Sequence, residues 1–404
     1  MLLDRILRRL IKRGRLIIED AKGRRRAYGE TGGDDAQDLV LVLKEPSIGN
    51  RIALDPDPGL GEAYMEGKIE IRNGRIYDLL ELIGRNIDNG RNTPGGISRT
   101  FGHLLRKAHQ INPAHRSRKN VAHHYDLSGE LYDLFLDKDR QYSCAYFDTG
   151  NLTLDEAQER KKAHIARKLM LEPGNRVLDI GCGWGGMALT LAKTAPDVHV
   201  TGVTLSTEQL GVARRRAEEA GLADRVKFEL IDYRKVEGQF DRIVSVGMFE
   251  HVGVPQYQTF FDKVNSLLSP DGVAVLHSIG RNEPPGITSP FIRKYIFPGG
   301  YIPAVSEVMN RVEKSGLWTT DIEILRIHYA ETVRHWRMRF LDNWDKAKAI
   351  YDERFCRMWE FYLAGSEMAF RHDGLMVFQI QMAKQIERVP LTRAYMYPDP
   401  GLAE

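Results

Sequence analysis

Cysteine is scarce in this chain: three residues in 404, Cys144, Cys182 and Cys356. So few, so widely spaced, exclude a disulfide framework, and none has metal-ligand spacing. Long apolar runs are also lacking. None reaches the roughly 18–20 residues that span a bilayer. The N-terminus shows no apolar h-region followed by a small-residue cleavage site. There is no Gly-Lys-Ser/Thr ending of a P-loop, no internal repeat and no low-complexity tract. Net charge is only +3. These absences leave an ordinary soluble, cytoplasmic chain, long enough for one large domain and a smaller one.

The small net charge conceals an uneven distribution. Residues 1–26 carry ten Lys/Arg against three acidic side chains, an excess of +7 that leaves the remainder at −4. Leu2, Leu3, Ile6, Leu7, Leu10 and Ile11 recur at helical spacing among Arg5, Arg8, Arg9, Lys12 and Arg13. A basic amphipathic helix suits an anionic membrane surface. It equally suits a surface helix packed on its own domain, and nucleic acid is a third reading. The expected partner is a membrane surface, with no nucleic acid.

Residues 1–90 read as a small α/β domain, with strands at 39–43 and 67–71 and a helix at 77–83. The run 84–98 is rich in Gly, Asn and Pro and marks a linker, placed at 91–117. Residues 118–404 form the second domain. Strands are expected at 176–180, 199–203, 226–230, 242–246 and 273–277, with helices near 186–194, 207–220 and 255–268. That alternation predicts a parallel sheet with helices on both faces. Residues 329–372 read as mostly helical, and a last strand at 375–382 closes the sheet. Ligands then bind beyond the carboxyl ends of the strands.

The most informative run is Val177-Leu178-Asp179-Ile180-Gly181-Cys182-Gly183-Trp184-Gly185-Gly186. An apolar strand carrying one acid leads into a glycine-dense turn and then a helix. Glycine allows a sharp turn and close approach to a ligand, and the helix start presents free N–H groups. The run looks like motif I of class I S-adenosylmethionine-dependent methyltransferases. Such enzymes usually place an acid after the second strand to hold the ribose. Here Thr204, Leu205 and Ser206 stand there, so hydroxyls, backbone and Gln209 must serve. Asp232 and Tyr233 follow the third strand, where Asp232 can accept from an adenine amino group. Glu250 follows the fourth, where catalytic residues tend to sit.

Tyr142-Ser143-Cys144-Ala145-Tyr146-Phe147, Gly202-Val203-Thr204-Leu205-Ser206, Met248-Phe249-Glu250-His251-Val252-Gly253, Leu276-His277-Ser278-Ile279-Gly280 and His328-Tyr329-Ala330-Glu331-Thr332 complete a pattern. With the Asn-Val-Ala-His-His-Tyr-Asp run at 120–126, the chain resembles the cyclopropane-fatty-acyl-phospholipid synthase family over nearly all of 118–390. The resemblance implies a Rossmann-like α/β fold with a mostly parallel seven-stranded sheet, plus a small N-terminal α/β domain. It implies S-adenosylmethionine held by Tyr142, Ser143, Asp179, Gly181, Gly183, Thr204, Leu205, Gln209, Asp232 and Tyr233. It also implies a bicarbonate base in a pocket of Cys144, Glu250, His277, the Ile279 backbone and Tyr329. The reaction implied moves a methyl group to a cis double bond of a phospholipid acyl chain, and the resulting cation loses a proton as a cyclopropane ring closes. A peripheral homodimer on the inner membrane face is expected, with the N-terminal domain docking lipid. Relatives that methylate acyl chains without closing a ring, or a non-catalytic lipid-binding relative, are the alternatives. The segment 280–303, with Phe291, Arg293, Lys294, Tyr295 and Phe297, reads as a lid or binding element for acyl chain and phosphate. Tyr142, Tyr146, Phe147, Tyr295, Phe297 and Tyr301 offer aromatic faces to a cation. Cys182 and Cys356 read as structural.

Overall fold

The computed structural model describes residues 2–30, 38–87 and 127–397. The expected linker at 91–117 and the run at 120–126 lie outside the described residues. Two compact units divide the rest. Among the described residues, the first holds 2–30, 38–87, 287–298 and 330–375. The second holds 127–286, 299–329 and 376–397.

The first unit carries a sheet of β1 (Arg15–Glu19), β2 (Arg25–Gly29), β3 (Leu39–Leu43) and β4 (Ile69–Arg72), ordered β2-β1-β3-β4. All five residues of β3 are buried, as its unbroken Leu/Val run predicts. The sequence did not reveal β1 and β2, because β2 buries only Tyr28 and otherwise reads as a polar edge. Helix Leu2–Leu10 turns Leu3 and Leu7 inward, and with Ile11 they join this unit's core. Its apolar stripe is therefore used for packing. Arg5, Arg8, Arg9, Lys12 and Arg13 remain exposed.

Helix Glu353–His372 completes the same core through Phe361, Ala364 and Met368. A Cβ on Gly84 would sit 2.9 Å from Met368, so the helices here pack closely. Residues 330–375, which the sequence pattern assigns to the second domain, thus group with the N-terminal residues. Helix Pro290–Tyr295 belongs here too. The Phe291 ring lies 4.7 Å from that of Phe361, and the Phe291 N–H donates to Asp57 at 3.0 Å. Lys294 and the Tyr295 hydroxyl donate to Glu62 at 2.6 and 2.8 Å. Of the side chains expected to receive acyl chain and phosphate, Phe291 is buried in this packing and Lys294 already has a carboxylate partner, while Arg293 is exposed.

The second unit is built on β5 (Arg176–Ile180), β6 (His199–Thr204), β7 (Val226–Leu230), β8 (Phe240–Val246), β9 (Leu268–Arg281), β10 (Trp318–Leu325) and β11 (Leu375–Ala383). Their order is β10-β11-β9-β8-β5-β6-β7. β5 to β9 pair in parallel, and β10 runs antiparallel to β11. This is the Rossmann-like, mostly parallel seven-stranded sheet expected of a class I methyltransferase. β10 escaped the sequence reading because only Asp321 and Leu325 of its eight residues are buried, and Trp318 is exposed. Along β5, Val177 enters one core while Leu178 and Ile180 enter the other, the alternation of a strand covered on both faces.

The chain runs from β5 outward through β6 and β7, then returns to β8 and β9 on the far side. The direction reverses between β5 and β8. A cleft opens outside the carboxyl ends of strands at such a point. Helix Leu154–Leu169 is held at both ends. Thr153 and Glu156 form a capping box at its start. At its end, the buried Arg242 guanidinium of β8 donates to the carbonyls of Leu169 and Met170.

Candidate functional site

At the end of β5 the chain turns through Gly181 and Gly183, with φ of +83° and +53°. A Cβ on Gly181 would sit 2.7 Å from the Met248 side chain, whereas one on Gly183 would meet nothing within 4 Å. Gly181 is thus required by both dihedral and packing, and Gly183 leaves the backbone open to the cleft. Helix Gly186–Thr194 then starts with its N–H groups at the turn.

A cavity occupies this cleft. Tyr142, Ser143, Asp179, Gly181, Gly183, Thr204, Leu205, Gln209, Asp232 and Tyr233 all line it. They come from the loop at 141–143 and from the ends of β5, β6 and β7. Cys182, which the sequence reading treats as structural, also lines the wall. Burial raises its thiol well above the ordinary range.

Asp179 is 1% exposed, and its Oδ2 has no hydrogen-bond partner among the described residues. Burial lifts its carboxyl to about 7, with the Lys161 ammonium acting in the opposite direction. Such an acceptor, buried and unmatched, fits a cationic donor. After β6, the Thr204 hydroxyl donates to Gln209 Oε1 at 2.9 Å and accepts from the Ser206 N–H at 3.1 Å. This leaves the Gln209 NH2 as the donor toward a ligand. Asp232 is gripped by Arg234, whose Nε lies 2.9 Å from Oδ1. Burial pushes Asp232 up, but the Arg234 hydrogen bonds outweigh it and hold the carboxyl below its usual range. Donor, acceptor and open-backbone positions together match an aminoacyl nucleoside such as S-adenosylmethionine.

The five residues of the expected anion pocket lie outside the cavity lining. The structure joins two of them directly: the Ile279 N–H donates to Glu250 Oε1 at 2.7 Å. Glu250 Oε2 is covered and unpartnered among the described residues. Burial is the largest influence on the Glu250 carboxyl and raises it, with the Ile279 N–H acting in the opposite direction. With its N–H on Glu250, Ile279 keeps its carbonyl, which accepts from the Ser278 hydroxyl at 3.1 Å. His277 precedes it on β9, 2% exposed. Burial keeps its ring neutral. The Gln379 amide meets His277 Nδ1 at 3.1 Å, and donation there puts the ring proton on Nε2. Cys144 is fully buried beside Ser143 and donates to the Ala145 carbonyl at 3.3 Å. Tyr329 stands in the first turn of helix His328–Asp342. Of the aromatics considered for a cation, Tyr142 lines the cavity and Tyr301 is a core residue. Tyr146 stacks between His164 and His328, with centroids 4.4 and 5.0 Å away.

Sequence reasoning missed the support beneath the 141–144 loop. Gln158, fully buried on helix Leu154–Leu169, donates to the Ser143 and Gln141 carbonyls at 2.9 and 3.2 Å. Lys161, one turn on and also fully buried, donates to Gln141 Oε1 and to Ser143 Oγ. Their spacing from the apolar Leu154 and Ile165 puts them on the inward face. Polar residues on such a face are the only sequence signal, and Lys and Gln at those positions read as solvated.

Among the described residues, no cluster of His, Cys, Asp or Glu could hold a metal, and no helix is long and apolar enough to cross a membrane.

Comparison with known proteins follows the same lines. Residues 112–380 match the family model described as mycolic acid cyclopropane synthetase. A probable fatty acid methyltransferase of Pseudomonas putida is 35% identical over 376 residues, covering 89% of this chain and 91% of that one. The cyclopropane-fatty-acyl-phospholipid synthase of Escherichia coli is 37% identical over 355 residues, covering 86% and 88%. A solved mycolic acid cyclopropane synthase, complexed with SAH (S-adenosylhomocysteine) and CTAB, is 34% identical with a TM-score of 0.63, covering 67% of this chain and 99% of that one.

Proposed function

The chain belongs to the mycolic acid cyclopropane synthetase family of S-adenosylmethionine-dependent methyltransferases, and on that premise we propose that it cyclopropanates unsaturated acyl chains of membrane phospholipids. The observation that supports this most is the buried Glu250 carboxyl, with Oε2 unpartnered among the described residues, in the short run between Met248 and His251, both of which line the cavity. When bound, S-adenosylmethionine supplies an electrophilic methyl group. Asp179 would accept from its ammonium. Gln209 and the Thr204–Leu205 backbone would hold the ribose, and Asp232 and Tyr233 the adenine, with Tyr142 and Ser143 closing over the other side.

Ring closure requires a base beside a developing cation. An anion placed there lowers the barrier electrostatically, and proton removal is general-base catalysis. Cys144, Glu250, His277, the Ile279 backbone and Tyr329 would hold a bicarbonate, which when bound supplies that base. A His277 Nε2–H and a Glu250 carboxyl able to share a proton suit an anion, whereas two bare negative charges would repel. A second reading keeps methyl transfer but ends in a methyl-branched or methylene chain, and the name of the Pseudomonas relative favours it. Release of S-adenosylhomocysteine on adding unsaturated phospholipid vesicles tests catalysis as such. No release, with cofactor bound, would leave only a lipid-binding relative.

Membrane docking and dimerisation belong to the same proposal, with the first unit meeting an anionic lipid surface. Because the apolar stripe of helix Leu2–Leu10 is packed inward, the contact is electrostatic rather than inserted. Each base near such a surface contributes about 1 kcal/mol. Arg5→Gln and Arg9→Gln should therefore each weaken binding to anionic vesicles by up to about fivefold, with folding unchanged, as read by vesicle co-sedimentation. Equal binding by the double variant would exclude this face. Deleting 1–90 is a poor test, since it strips the core that Phe361, Ala364 and Met368 share.

A further inference from the structure

We propose that Lys161 is a positioning residue of this site: its buried ammonium holds in place the 141–144 loop, whose Gln141, Tyr142 and Ser143 line the cavity. This rests on the reading of the cavity as the S-adenosylmethionine site. Lys161 is 0% exposed. It donates to Gln141 Oε1 and, at 2.9 Å, to Ser143 Oγ. Both acceptors line the cavity, and the next residue is Cys144. One cation thus fixes a stretch with a cofactor-facing side chain at one end and a member of the expected anion pocket at the other.

The charge matters as well as the hydrogen bonds. A buried lysine costs far more than a leucine unless its charge is used. Burial lowers the Lys161 ammonium to about 8; Asp137 and Asp139 favour its charged form and Lys162 opposes it, with Cys144 also in its field. The Lys161 ammonium acts in turn on Asp179, favouring the carboxylate, and on His277, favouring the neutral ring. Cys182 is the other titratable group facing Asp179. The charge of Lys161 therefore favours the ionised form of Asp179 and the neutral form of His277. Its neighbour Lys162 has a different role, pairing with Asp139 and Glu159 at 2.7 and 2.8 Å.

The test is the binding of S-adenosylhomocysteine to the full chain by calorimetry, from about pH 5.5 to 8.5, for wild type and Lys161→Met. Wild type should lose affinity as pH falls and Asp179 takes up a proton. Lys161→Met should bind about tenfold more weakly near neutrality, and its acid loss should begin at higher pH. Lys161→Gln, which keeps a donor to Ser143 without the charge, should recover part of the affinity but none of the pH shift. It carries the same test if Lys161→Met does not fold. Unchanged affinity and an unchanged pH midpoint in a folded variant would overturn the proposal and leave Lys161 a buried structural cation. If wild type binds no S-adenosylhomocysteine at all, the cofactor reading itself fails, and that outcome is distinct.

Discussion

Glu250→Gln should leave S-adenosylhomocysteine affinity within about threefold of wild type while product formation falls by about 10²–10⁴-fold, the usual contribution of a positioned acid–base group. The separation follows from geometry. Glu250 does not line the cofactor cavity. Its Oε1 is taken by the Ile279 N–H at 2.7 Å, a bond that a glutamine carbonyl retains, so β9 stays in place. What is lost is Oε2, the oxygen with no partner among the described residues. A carboxyl there can share one proton with a bound oxyanion, whichever of the two carries it. An amide nitrogen has two protons and no acceptor, and cannot. Calorimetry and lipid product analysis on one preparation check both halves. A cofactor affinity that collapses along with turnover would mean that Glu250 holds the cofactor instead.

Asp179→Asn should weaken S-adenosylhomocysteine binding by about 10- to 100-fold, the range for a hydrogen bond to a charged partner, about 1.5–3 kcal/mol. The fold should survive, because the asparagine keeps the shape and removes a buried acid. Two pH effects accompany it. In wild type the ligand ammonium prefers the carboxylate, so affinity falls as pH drops below about 7, where burial has placed the Asp179 carboxyl. In the variant this acid loss disappears. Stability without ligand moves the other way. A folded-state carboxyl raised above its unfolded value binds protons more strongly in the native state, so Asp179 costs stability as pH rises from about 4 to about 7. Thermal melts of the ligand-free protein across that window should show a shallower decline for Asp179→Asn. Identical melts and an undiminished affinity would contradict the role given to this carboxyl.

The parallel strands were legible because each is a short apolar run closed by turn residues, and β5 carries the glycine turn at its end. That pattern alone placed Asp179, Gly181, Thr204, Asp232 and Glu250 near the ends of their strands. Two of the edge strands were not legible. β2 and β10 bury too little for alternation to show, and β10 pairs with β11, some fifty residues further on. Domain membership was hidden by distance along the chain. Helix Glu353–His372 is apolar on a face whose partners, Leu79, Leu80 and Gly84 among them, lie some 280 residues earlier. Lys161 and Gln158 were invisible because burial of a polar side chain depends on acceptors from another segment, here 141–143. The five anion-pocket positions were named through family resemblance. Of these, the structure adds the bond from Ile279 to Glu250, which no spacing rule contains.

The central claim is ring closure on a lipid acyl chain. The most direct measurement is gas chromatography with mass spectrometry of fatty-acid methyl esters, after incubating the protein with S-adenosylmethionine and vesicles of unsaturated phospholipid. The account predicts a product heavier by one CH2, without a double bond, that co-elutes with a cyclopropane standard. A methyl-branched or methylene ester of the same gain would contradict it: methyl transfer would stand, and the anion pocket would not be a ring-closing base.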